Sequence, residues 1–341
     1  MRYIDLRSDT VTKPSKPMRE AMMVAEVGDD VFGEDPTINK LQDKCAELTG
    51  KERALFVTSG SLGNQLAVKA HTKPGDEIIV EAESHIYNYE NAAPSVISGV
   101  QVMPIQGTNG VMSVELIKRY LRDKVYYFPE NTLICIENTH NRAGGIIQPI
   151  ESIREITVFA KEQGIKTHLD GARIFNASVE TGITIKEYAS YFDSISFCFS
   201  KGLGAPVGSI LCGDASFIAR AHKWRKILGG GMRQAGILAA AALYALEHNI
   251  ERLKEDHQKA KFFAQSIASI PGVEINLQNV HTNIVIFRQN KFPKSQLIAL
   301  LKERGVLVSS GSFDYIRAVF HLDVSLEEVE ESLKVFQSVL L

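Results

Sequence analysis

Between residues 38 and 215 the chain alternates two hydrophobic periodicities, and few architectures accommodate that alternation. Seven short runs, "ALFV", "EIIVEA", "VQVMPI", "TLICIE", "KTHLD", "SISFCFS" and "GSILCG", are nearly continuous in apolar residues, as strands buried on both faces must be. The segments between them carry apolar residues at helical spacing. Ile38, Leu41, Cys45 and Leu48 mark one helix, closed by Gly50, and Ile153, Ile156 and Ala160 mark another over 151–163. Strand after helix after strand predicts an α/β fold in which a seven-stranded, mostly parallel sheet is covered by helices on both faces. After Gly229-Gly230-Gly231 the pattern changes. A long helical stretch over 232–269, with Asn249 as the place for a bend, ends at Pro271-Gly272. "NIVIFRQ", a helix over 295–304, "VLVSS", "IRAVFHL" and a last helix with Val329, Leu333, Phe336 and Leu340 on one face then read as a small α+β unit. The expected division is a large domain over 14–246 and a small C-terminal domain that joins 247–341 to the N-terminal segment 1–13.

Charge and composition exclude several classes of function. With 38 basic and 40 acidic side chains the formal net charge is -2, so nothing draws the chain generally to nucleic acid or to an anionic membrane. A cytoplasmic protein is expected. "MRYIDLRSDT" lacks the apolar core of a secretory signal, and "GILAAAALYAL" is too short to span a bilayer. Cys45, Cys135, Cys198 and Cys212 are widely spaced without a CxxC pair, as suits reduced, packed thiols. The nine histidines show no HExxH or comparable spacing, so no metal is expected.

Four stretches hold the residues that can do chemistry: "TSGSLGN" (58–64), "SHIYNYE" (84–90), "HLDGAR" (168–173) and "FSKGLG" (199–204). Three directly follow a predicted strand, and open α/β sheets bind ligands beyond the carboxyl ends of their strands. Ser59, Gly60 and Ser61 precede a helix that starts near Leu62, so hydroxyls and backbone N–H groups can converge on a phosphate; a plain N-cap would use the same residues. The spacing fits neither GxGxxG nor a Walker loop. Asp170 ends a strand and can face a cationic nitrogen while Arg173 covers a nearby oxyanion; the alternative is a cap and an internal ion pair. His85 offers an aromatic plane to a flat ligand, or is simply a packed imidazole. Lys201 lies between a buried strand and a flexible glycine run, where most lysines extend to water. Taken together the four stretches give it a use. A lysine activated by burial and neighbouring cations can form a Schiff base, and a pyridine-phosphate cofactor needs a phosphate cup, a ring partner and an acid opposite its ring nitrogen. Asp170 would keep that nitrogen protonated, so that the ring accepts the electrons released when a bond to Cα breaks.

"DLRSDTVTKP", "EVGDDVFGEDPT", "ENTHNRAGG", "HLDGARIFNA", "SKGLGAPVGS" and "LGGGMRQAG", in this order and over nearly the whole chain, closely resemble the low-specificity L-threonine aldolases, the L-allo-threonine type included, among the fold type I pyridoxal-phosphate enzymes. The resemblance implies pyridoxal 5'-phosphate as cofactor and a small amino acid as substrate. It also implies a homotetramer built from dimers, with active sites between subunits, and reversible cleavage of L-threonine or L-allo-threonine to glycine and acetaldehyde. Carried over by motif, Lys201 is the Schiff-base lysine, Asp170 the pyridine partner and His85 the stacking ring. Ser59, Gly60 and Ser61 belong to the phosphate cup, and Arg173 lies near the phenolic oxygen. The family pattern assigns the substrate carboxylate to Ser8, Arg173 and Arg317. Arg233, with Lys226, is expected to reach the phosphate from a neighbouring subunit. His85, directly or through water, is the expected base. The chain also departs from the pattern. Tyr127 stands where many relatives carry a histidine of the substrate side-chain pocket, Glu130 where an arginine follows, and Phe320-His321 where the arginine strand ends in Thr-His. A phenol at 127 can still hydrogen-bond a β-hydroxyl. Another pyridoxal-phosphate reaction, β-elimination or racemisation, is the alternative among enzymes, and a noncatalytic pyridoxal-phosphate-binding protein the alternative outside them.

Overall fold

The computed structural model describes residues 3–341. In chain order its strands are β1 (Ile4–Asp5), β2 (Arg53–Val57), β3 (Glu77–Glu81), β4 (Gln101–Ile105), β5 (Asn131–Glu137), β6 (Lys166–Asp170), β7 (Ser194–Cys198), β8 (Ser209–Gly213), β9 (Val273–Glu274), β10 (Ile284–Gln289), β11 (Val306–Leu307), β12 (Ser309–Ser310) and β13 (Ile316–Val319). The seven apolar runs of the sequence are β2 to β8, and they form one sheet in the order β2-β8-β7-β6-β5-β3-β4. Only β8 runs antiparallel to its neighbours. The connections explain why. Each link between successive strands from β2 to β7 contains a helix, as a parallel crossover requires, whereas residues 199–208 join β7 to β8 without one and turn the chain straight back.

Local chemistry sets the helix ends. In the helix Pro36–Thr49 the Asp35 carboxylate accepts the Ile38 N–H at 3.0 Å, and Gly50 closes the other end at φ +65°. The stretch expected as one bent helix is two, Gly236–His248 and Leu253–Ala268. Asn249 ends the first, and its side-chain amide donates to the Leu203 carbonyl at 2.7 Å, which anchors the break to the loop after β7.

Two large apolar cores result, with two smaller clusters around Leu66 and Val80. The first lies between the large sheet and its helices and includes Phe56, Ile134, Leu169, Phe197 and Leu253. The second gathers Leu6, Phe263, Phe287, Phe320 and Phe336 around the four-stranded sheet β12-β13-β10-β9 and the parallel pair β1-β11. The N-terminal segment and residues 260–340 thus share a core, although Met1 and Arg2 of the expected small domain lie outside the described residues. All four cysteines are buried and unpaired. No helix of the described residues is long and apolar enough to cross a membrane.

Candidate active site

Because β2, β3, β5, β6 and β7 point the same way, the segments that follow them meet at one edge of the sheet. They deliver Gly60, His85, Asn141, Asp170 with Arg173, and Lys201 to a cavity of about 290 Å³. Ser8 from the N-terminal segment and Arg317 from β13 complete its wall, so both cores contribute. At the end of β6 the chain turns through Gly171, whose N–H donates to the Ser196 carbonyl at 2.8 Å. A side chain there would meet that same oxygen at 2.8 Å, so the glycine serves approach to β7. Gly60 is held in the same manner, since a Cβ would lie 2.8 Å from the Cys198 sulfur.

Asp170 is buried. Its oxygens accept the Asn64 amide at 2.7 Å and the Ala172 N–H at 3.1 Å. Burial opposes its charge, but His85, Lys201 and the Asn64 hydrogen bond outweigh that cost and hold the carboxyl below its ordinary range. Asn64 splits its two amide hydrogens between Asp170 and Glu90, the latter at 2.8 Å. Glu90 also accepts Gln65 Nε2 at 2.6 Å and the His85 Nδ1–H at 2.9 Å. Burial pulls the His85 ring down, yet the Glu90 hydrogen bond and the charges of Asp170, Glu90 and Glu137 raise it above its ordinary value. His85, Glu90 and Asp170 offer ligand atoms within 4.8 Å of one another, a spacing that suits a metal. Protein donors already reach both carboxylates, and this hydrogen-bonded cluster accounts for the arrangement.

The two guanidiniums differ in how they are compensated. Arg173, buried, grips Asp9 with Nε at 2.7 Å and Nη2 at 2.6 Å. Burial works against charge on Asp9, but Arg173 holds its carboxyl well below the usual range. Arg317 donates to Ser309 Oγ, Asn141 Oδ1 and the Arg7 carbonyl, and among the described residues it has no ion-pair partner. Burial and the Arg173 charge lower its pKa. An anion in the cavity would relieve both effects.

The family model described as beta-eliminating lyase matches residues 5–290. The low-specificity L-threonine aldolase 1 of Arabidopsis thaliana is 42% identical over 100% of this chain and 97% of that protein. The low specificity L-threonine aldolase of Escherichia coli K12 is 44% identical over 96% of each. This chain belongs to the low-specificity L-threonine aldolase family. The fold of a threonine aldolase structure from Leishmania major agrees, with a TM-score of 0.84 over 99% of both chains at 17% identity.

Within this aldolase family member, Ser8, Gly60, His85, Asp170, Arg173, Lys201 and Arg317 all face the one cavity. Ser59 and Ser61 flank Gly60 at the N-terminus of the helix Gly60–His71, where Ser59 Oγ caps the Leu62 N–H at 3.1 Å. Arg233 lies elsewhere, half-exposed and paired with Asp29 at 3.0 Å, and Lys226 stands exposed in the last turn of the helix Ala215–Ile227. Tyr127 stands apart from this cavity within the single chain. It is 65% exposed and lies outside the cavity, between Tyr126 and Phe128 in the loop that enters β5. The cavity lies where β5 ends, and seven residues of strand separate the two edges by roughly 20 Å. The resemblance places Tyr127 in the substrate side-chain pocket; within one chain β5 carries its two ends to opposite edges of the sheet. Sequence reasoning also missed Asp9, Asn64, Glu90 and Asn141. All four sit inside stretches quoted above, but only the folded chain shows which groups their side chains touch.

The cavity's donor set fits pyridoxal phosphate. A lysine amine, a buried ionised carboxylate, an imidazole and a helix N-terminus face one space, and the close packing of Gly60 on Cys198 leaves that terminus open to it.

Proposed function

We propose that the chain is a pyridoxal 5'-phosphate-dependent aldolase that cleaves L-threonine, L-allo-threonine and related β-hydroxy-α-amino acids reversibly to glycine and an aldehyde. One observation carries this reading: the Lys201 amine, the buried Asp170 carboxylate and the uncompensated Arg317 guanidinium face a single cavity. Pyridoxal phosphate, when bound, supplies an electron sink for the pair released at Cα. Lys201 would anchor it covalently, Ser59, Gly60 and Ser61 would hold its phosphate at the helix N-terminus, and Asp170 would keep a proton on its ring nitrogen. His85 would offer its ring as a stacking partner, and Arg173 would serve the phenolic oxygen.

Arg317, with Ser8 and Arg173, takes the substrate carboxylate, and this grip selects Cα–Cβ as the bond that breaks. The Asp9 ion pair keeps the Arg173 guanidinium in plane. Glu90 accepts the Nδ1–H of His85, so the neutral ring carries its lone pair on Nε2. Nε2 removes the β-hydroxyl proton, the Cα–Cβ bond breaks, the hydroxyl-bearing carbon leaves as the aldehyde, and Cα regains one proton to become glycine.

The subunit arrangement is part of the same proposal: a homotetramer of two dimers in which Arg233 and Lys226 of one subunit reach the phosphate site of another. Exposure of both side chains supports it. The division into domains 14–246 and 1–13 with 247–341 is supported by the two cores except at its boundary, where Leu253 packs into the first. Buried, unpaired cysteines support a reducing, cytoplasmic setting.

Purified protein supplied with pyridoxal phosphate is expected to release glycine and acetaldehyde in equal amounts from L-threonine and L-allo-threonine, and borohydride should fix the cofactor on Lys201. Absence of that adduct would overturn the reading. The match to the beta-eliminating lyase family favours β-elimination as the second reading, and 2-oxobutyrate with ammonia as the products from threonine would establish it.

A further inference from the structure

Beyond the outer wall of the active-site cavity lies a second cleft of about 430 Å³, between the turn at 106–110 and β10 with the loop 312–315. Arg142, Ile286 and Ser312 line both spaces. The partition is polar and is assembled from three separate segments. Arg142 Nε donates to Glu83 Oε2 at 2.5 Å, its Nη1 reaches the Tyr89 hydroxyl at 3.3 Å, and its guanidinium carbon lies 5.5 Å from the centre of the Tyr89 ring. Ser312 Oγ donates to the same Glu83 oxygen at 3.1 Å. Both partners of the ion pair keep about a fifth of their side-chain surface in solvent (20% and 22%), so the pair contributes little stability and can open. The two sides of the partition differ in chemistry. On the near side the floor is charged and buried, built from Asp170 and Arg173, whereas the cleft behind sets Ile275, Val280, Phe313 and Tyr315 beside the solvent-exposed ion pair of Arg288 and Glu274.

We propose that Arg142, anchored by Glu83, is the specificity-determining residue for the size of the β-substituent, and that the second cleft is the subsite for aryl or long alkyl substituents. This rests on the aldolase reading above. With the ion pair closed, the cavity accepts a methyl group beside the β-hydroxyl. With the guanidinium withdrawn, the one space becomes continuous with the other, and a phenyl ring passes Ile286 into the second cleft.

The test compares kcat/KM for L-phenylserine and L-threonine in the holoenzyme and in three variants, Arg142→Ala, Glu83→Gln and the double variant Arg142→Ala with Ile275→Trp. Thermal melts confirm that each is folded. Arg142→Ala and Glu83→Gln should each raise the phenylserine-to-threonine ratio by about tenfold or more, the scale set by one or two methylenes in an apolar pocket. Filling the cleft with Ile275→Trp should return the ratio to that of the unaltered enzyme. A ratio unmoved by both single variants, or a rise that Ile275→Trp fails to reverse, overturns the inference while threonine turnover leaves the aldolase reading standing. Failure of the unaltered holoenzyme to release aldehyde from either substrate overturns that reading, and this inference with it.

Discussion

Asn64 gives one amide hydrogen to Glu90 and the other to Asp170, so a single side chain ties the Asp170 carboxylate to the one that holds His85 Nδ1. Glu90→Gln should therefore change proton chemistry more than folding. His85 is raised largely by Glu90, so removing that charge lowers the pH at which the ring loses its proton. If neutral Nε2 is the base, the acid limb of the kcat/KM profile moves to lower pH in Glu90→Gln, and an unshifted limb would separate His85 from the proton transfer. Arg317 poses a different test. It lacks an ion-pair partner among the described residues and can place two parallel donors on a carboxylate, which lysine cannot. Arg317→Lys should raise KM for threonine roughly tenfold to a hundredfold, the scale of one charged hydrogen bond, as steady-state kinetics would show.

At the scale of elements, the site depends on strand ends and on what crosses between the cores. Asp9, in the N-terminal segment, clamps Arg173 just beyond β6, and both are buried. Asp9→Asn leaves the guanidinium buried without its counter-charge, which should destabilise the protein by about 3 kcal/mol in urea denaturation. Gly171→Ala should also lower the urea midpoint, because its methyl group would press on the Ser196 carbonyl of β7. The seven strands were legible because each is a compact apolar run, and Asp170 and Lys201 because each follows such a run directly. Glu90 was not legible, since four residues, most of them in the helical turn His85–Asn88, separate it from His85 and only the folded path returns its carboxylate to the ring.

Across the whole molecule, a chain of neutral groups runs beneath the site. His168 Nε2 donates to Asn64 Oδ1 at 3.2 Å, its Nδ1 accepts from Ser194 Oγ at 2.9 Å, and His71 Nε2 donates to that same hydroxyl at 2.8 Å. Burial and the nearby His168 push His71 down to about 3, and burial pushes His168 down to about 4. Both rings titrate near 6.5 when unfolded, so the unfolded chain binds more protons below that pH. Their contribution to stability is full above pH 6.5 and is lost as pH falls toward 4, at roughly 1.4 kcal/mol per unit for each ring. Urea midpoints measured from pH 7 to pH 4.5 should fall accordingly, and constant midpoints would refute the neutral chain. The sequence by itself determined the strands, most helix ends, the lysine and the acid, though not the full break after His248, because periodicity, caps and turn residues are local properties. Which ends of those strands meet was decided by the tertiary structure, because strand direction sets the edge at which a side chain emerges. That is why only the folded chain shows Asn64 and Arg142 on the cavity wall and Glu90 behind His85.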